Sequence, residues 1–153
     1  MSEILNLEKV SQLIKPILKG MNLRFYDLSF NEVSKVLRLY IDKKGGDVTI
    51  GECKKVSNQV SKVLDEAELI NFPYTLEVSS PGIERPLKTR QHFQWAIGKT
   101  AEILLENKKI RGYVRRVTDD GVYIATNGQE EFIYFNLIIK AKLVEELVYG
   151  KRR

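Results

Sequence analysis

Across Ser79-Ser80-Pro81-Gly82 the spacing of apolar residues changes, and that change limits the folds open to the chain. Before it, apolar residues recur largely at three- and four-residue intervals in two long stretches. After Pro86 they recur every second position in short runs. The first spacing lays an apolar stripe along a helix, and the second turns one side of a strand toward a core. Two prolines and a glycine within the six residues Pro81 to Pro86 break regular structure between the two regimes. The 153 residues therefore read as two small units, each with a thin core. Residues 1–82 are expected to form an N-terminal α+β domain, 83–90 a short stiff linker, and 91–153 a C-terminal β domain.

In the first part, Ile4, Leu7, Val10, Leu13, Ile14, Ile17 and Leu18 line one face of a helix that Gly20 should stop and Pro16 should kink. Asn22 to Phe30 reads as a strand, joined at Asn31-Glu32 to a second that carries Val33, Leu37, Leu39 and Ile41 on its apolar side. Thr49 and Glu52 stand at capping-box spacing and open a second helix, with Cys53, Val56, Val60, Val63, Leu64 and Ala67 as its buried stripe. Tyr74 to Ser79 closes the unit as a third strand. The order is αββαβ, a two-layer α+β arrangement.

In the second part, strands are expected around Ala101 to Leu105, Gly112 and Val114, Val122 and Ile124, Phe132 to Phe135, and Ile138 to Val144. Asn107-Lys108, Asp120-Gly121 and Asn127-Gly128 supply the turns, the last two being hairpin signals. Five short strands in so few residues point to a small closed barrel, which removes exposed edges.

The charge is unevenly divided. Residues 1–80 hold eleven basic and eleven acidic side chains, whereas 81–153 hold fourteen basic and nine acidic, so the whole surplus of +5 lies in the second part. That excess, which includes Lys151-Arg152-Arg153, fits either a polyanionic partner or plain solubility. On a strand, Lys109, Arg111, Tyr113 and Arg115 share one face, where three cations can meet phosphates and the ring can stack a base. An ordinary solvated strand face accounts for the same pattern.

Several function classes lack their residues. No Gly-rich phosphate loop, Gly-x-Ser-x-Gly elbow, His-Glu-x-x-His or dinucleotide fingerprint occurs. The lone His92, beside Phe93 and Trp95, has no neighbour in sequence to orient it as a base, and Cys53 falls on a helix's apolar stripe. One cysteine and one histidine make neither an internal disulfide nor a usual zinc site, so no cofactor or metal is expected and the chain reads as a binding protein without catalysis. No apolar run approaches the roughly 20 residues that span a bilayer. The start, Met1 to Asn6, lacks a secretory pattern, which points to the cytoplasm.

The segment Leu76-Glu77-Val78-Ser79-Ser80-Pro81-Gly82-Ile83-Glu84-Arg85-Pro86-Leu87 reads physically as a strand and a well-made turn. It also resembles the most specific segment of the ribosome maturation factor RimP family. Leu37-Arg38-Leu39-Tyr40-Ile41-Asp42, Glu52-Cys53-Lys54-Lys55-Val56-Ser57, Leu64-Asp65 and His92-Phe93 through Gly98 are similar to further family segments. Ile83-Glu84 stands where the family more often has Leu-Asp, and Gly51 where an acidic residue is common. The resemblance implies an α+β domain followed by an Sm-like, SH3-like barrel. It implies a factor that acts on the immature small (30S) ribosomal subunit, contacting its rRNA and ribosomal protein twelve near the decoding centre. Ser79, Ser80, Pro81, Gly82, Glu84 and Arg85 become a candidate recognition loop, and Lys109, Arg111, Tyr113 and Arg115 candidate RNA contacts. A monomer is expected. Two other readings remain: an Sm-type RNA chaperone that assembles into a ring, and an SH3-like adaptor that binds peptides.

Overall fold

The computed structural model describes residues 5–144, so Ile4 and the basic tail Lys151-Arg152-Arg153 lie outside the described residues. The described chain forms two compact units, the first ending at Pro81 and the second starting at Gly82.

Helix α1 (Leu7–Gly20) starts because the Asn6 side chain accepts from the Lys9 amide at 3.1 Å. It buries Val10, Ile14 and Leu18 completely and runs through Pro16. It ends at Gly20 as expected, but by a different device. The left-handed residue is Asn22 at φ 60°, not Gly20, and the Leu23 and Asn22 amides donate back to the Leu18 and Lys19 carbonyls. Those two bonds satisfy carbonyls that the last turn would leave open, and a short polar side chain tolerates the backbone this requires.

Strands β1 (Arg24–Asn31) and β2 (Val36–Asp42) pair antiparallel, with a bulge at the buried Tyr26. Val33 is not on the apolar side of β2 but at the tip of the turn, 95% exposed. The Asn31 side chain accepts from the Val33 and Ser34 amides, which folds the turn over residues expected to be strand.

Helix α2 (Ile50–Ala67) opens with both bonds of the Thr49–Glu52 capping box. It buries Val56, Val60 and Leu64, while Cys53 is half-buried and Ala67 exposed, so the buried stripe is narrower than expected. The helix carries the chain across to β3 (Thr75–Ser79), which pairs parallel with β2 and gives the order β1-β2-β3. Val10, Ile14, Leu18, Val56, Val60 and Leu64 meet Leu37, Leu39 and Ile41 in one core, so both helices lie on one face of the sheet. Each fully buried aliphatic side chain there contributes roughly 1.5–3 kcal/mol.

The second unit begins with residues read as linker. Leu87 is buried in its core, and a short helix α3 (Arg90–Trp95), capped by Thr89, follows. Strands β4 (Thr100–Leu104), β5 (Lys109–Val117), β6 (Gly121–Thr126), β7 (Gln129–Tyr134) and β8 (Lys140–Leu143) form an antiparallel sheet in the order β7-β6-β5-β4-β8. The expected closed barrel is not formed, because β7 and β8 are the two edges. The outer edge of β8 is instead covered by the incoming chain: the Leu143 amide donates to Arg85, the Leu87 amide donates to Ala141, and Pro86 bridges Lys142. A covered edge is protected without closure. A 3-10 turn at Phe135–Leu137 shortens the last expected strand to Lys140–Leu143.

Two turn glycines work differently. Asn127 and Gly128 both have positive φ, as the tight hairpin type demands. Asp120-Gly121 is a turn held by the Thr118 side chain, which accepts from both amides. Gly121 is needed there for space, since a Cβ would lie 2.3 Å from the Ile133 carbonyl oxygen.

Candidate nucleic-acid interface

Strand β5 alternates as expected: Ile110, Gly112 and Val114 are buried, and Lys109, Arg111 and Tyr113 are exposed. The alternation holds through Arg115 and fails at Arg116, which is exposed as well. Register shifts between Val114 and Arg116, so Arg115 is the extra residue of a bulge and Arg116 takes the outward place opposite Tyr123. Arg115 and Arg116 are thus two exposed cations in succession after Tyr113.

The sheet enlarges the row sideways. Across β4, Arg111 stands opposite Glu102 and Glu102 opposite Lys142, while Lys109 and Lys140 flank Leu104. Three cations, Lys109, Lys140 and Lys142, line with Glu102 and Leu104 a shallow groove of about 220 Å³, and Arg111 stands opposite Glu102. Glu102 lies 3.9 Å from the Lys109 ammonium and 4.0 Å from the Arg111 guanidinium, and Glu84 is 3.6 Å from Lys142. Exposed pairs this long contribute little and exchange readily for a phosphate. Nothing in the β5 pattern identified Lys140 and Lys142, although Lys140-Ala141-Lys142 carries the same two-residue alternation.

Tyr123, Phe132 and Tyr134 also project outward, from β6 and β7. Tyr123 and Phe132 have ring centroids 4.8 Å apart, Phe132 and Tyr134 4.9 Å apart, and the Arg116 guanidinium carbon sits 4.1 Å from the Tyr123 centroid.

The Ser79-to-Arg85 segment reaches the groove at its far end, where Glu84 lies beside Lys142 and the Arg85 carbonyl accepts from the Leu143 amide. Ser79 ends β3, and Ser80, Gly82, Ile83 and Glu84 are exposed, with Pro81 and Arg85 half-buried. Gly82 has φ 91° and open space around it, and the Arg85 side chain donates to its carbonyl at 3.0 Å. The loop is therefore a braced turn that presents backbone and small polar groups to solvent. Beside its first residues, Val48, Ile50, Cys53, Val78, Ser79 and Ser80 help line a cleft of about 470 Å³.

Neither reactive side chain is set up for chemistry. His92 is buried and its Nδ1 accepts from the Lys88 amide at 3.0 Å. Burial, with a smaller push from Glu52, raises the Cys53 thiol above its ordinary 9.0, so thiolate is scarce at neutral pH. Among the described residues no cluster of three or more His, Cys, Asp and Glu is placed to hold a metal. No helix among them is long and apolar enough to cross a membrane.

Residues 13–84 match the sequence profile of the RimP N-terminal domain, a span that runs from within α1 through the loop to Glu84. The matched span holds the rest of α1, the hairpin, the capped α2, β3 and the braced turn in the order described above. The chain thus carries the N-terminal domain of the RimP family, a family of ribosome maturation factors that are in general not enzymes.

Proposed function

We propose that this chain is a non-catalytic, cytoplasmic assembly factor for the small ribosomal subunit, binding immature-subunit rRNA through the outer face of its second sheet. The observation that carries the reading is the placement of Lys109 and Arg111 on β5 and of Lys140 and Lys142 on β8, on either side of β4, at one groove. Such a surface neutralises several phosphates at once. A factor of this kind acts by binding one conformation of a folding RNA more tightly than others, which shifts its population and allows departure afterwards. Ribosomal protein twelve, near the decoding centre, is the protein partner of this reading. A basic partner suits the electrically neutral first unit better than the basic groove, and the Ser79–Arg85 turn is the recognition element assigned to that unit's end.

The second unit is, in this reading, an open member of the Sm-like group: a short helix followed by five strands, the last returning beside the first. A ring-forming chaperone is disfavoured, because rings joined through sheet edges need both edges and Arg85–Leu87 occupies that of β8. A monomer follows.

The test is capture of small-subunit precursors at a series of salt concentrations. Wild type is expected to bind with a steep salt dependence, and Arg111→Glu with Lys142→Glu to weaken binding and flatten the slope by roughly one unit per lost contact. Binding that ignores salt would transfer the function to a peptide-binding adaptor.

A further inference from the structure

The groove explains attraction to a polyanion, yet the same outer face carries a second feature that phosphates do not need. Tyr123, Phe132 and Tyr134 form a row of rings across β6 and β7 at spacings of 4.8 and 4.9 Å, with the Arg116 guanidinium at one end. Gly121 lies beneath it, and a Cβ there would come within 2.7 Å of the Phe132 ring. Tyr134, opposite Gly121 on the edge strand, is 52% exposed, and Tyr113, 43% exposed, stands between these rings and the basic groove.

The geometry points to a stacking platform for unpaired bases, so that the RNA this face takes is single-stranded rather than duplex. This inference rests on the RNA reading of the groove above. Charge favours nucleic acid over an apolar protein surface: the outward positions of the sheet hold Lys109, Arg111, Arg116, Lys140 and Lys142 against Glu102 and Glu130, five cations to two anions. A double helix offers this face phosphates but keeps its bases stacked internally, which leaves the rings unused. A single strand offers both groups, phosphates to the lysines and base faces to the rings.

The experiment is a fluorescence-anisotropy titration of the full chain with a labelled oligoribonucleotide of about 12 nucleotides, single-stranded or annealed to its complement. Wild type binds the single strand at least about tenfold more tightly than the duplex. Tyr134→Ala lowers single-strand affinity roughly tenfold, leaves duplex affinity and the salt slope unchanged, and Tyr134→Phe restores binding. Should Tyr134→Ala melt the fold, Tyr134→Leu, which keeps an apolar side chain without a π face, decides in its place. Equal affinity for the two RNAs, with neither altered by loss of the Tyr134 ring, overturns the stacking inference while leaving the groove intact. Failure to bind either RNA overturns the groove reading itself, and the inference with it.

Discussion

Replacing Gly121 by alanine tests the packing that holds the aromatic row in place. The added Cβ would stand 2.3 Å from the Ile133 carbonyl oxygen, 3.0 Å from the Ile133 carbonyl carbon and 2.7 Å from the tip of the Phe132 ring. The ring can swing aside, but the Ile133 peptide belongs to the β6–β7 ladder, so relief requires the two strands to separate by about 1 Å. Overpacking of this kind costs typically 1–3 kcal/mol, and a rigid backbone obstacle puts this case near ~3 kcal/mol. With a urea slope of about 1.5 kcal/mol/M for a small unit, the unfolding midpoint should fall by roughly 2 M. Trp95, the single tryptophan, sits in α3 of the second unit, so its fluorescence follows the unit that carries the mutation. A midpoint displaced by less than about 0.5 M would refute the argument that Gly121 is demanded by space.

Gly82→Ala is the opposite case: nothing lies within 4 Å of its Cβ, and the cost comes from φ 91°, about 1–2 kcal/mol of backbone strain. If the turn is a recognition element, precursor capture falls by more than the thermal midpoint accounts for, whereas normal capture returns it to an ordinary turn. Residues 1–82, expressed alone, should unfold in one cooperative transition by circular dichroism, because caps, hairpin, both helices and core all lie within them; a gradual melt would reject that boundary. The Thr49 amide, then the Lys43 side chain, hold the Glu52 carboxyl below its ordinary 4.5. A folded value below the unfolded one means that its stabilising contribution is complete above the ordinary value and lost as pH falls through the depressed one. Glu52→Gln should therefore flatten the acid limb of stability against pH, and an unchanged acid limb would show that the capping carboxylate is not linked to folding.

The elements legible in the sequence were those whose signals are local. The Thr49–Glu52 box, the Asn127-Gly128 hairpin and the stripe of Val56, Val60 and Leu64 depend on residues within a turn or two of one another, and each formed where the spacing placed it. Local alternation likewise sent Lys109, Arg111 and Tyr113 outward on β5. What escaped were features made by neighbours distant in the chain. Arg116 turned outward beside Arg115 because β6 pairs with it through a bulge, a register that β5 does not encode by itself. Lys140 and Lys142 joined the groove only because β8 returns beside β4, and the open sheet follows from Arg85–Leu87 covering the β8 edge. Tyr123, Phe132 and Tyr134 are scattered apolar residues in the sequence and become one surface through the register of β6 with β7. Periodicity, caps and turn chemistry thus determined which elements exist and which side chains leave each core, because those depend on short-range sterics and hydrogen bonds. Strand pairing alone decided which outward side chains share a face, since a one-residue shift in register reassigns every neighbour across a sheet.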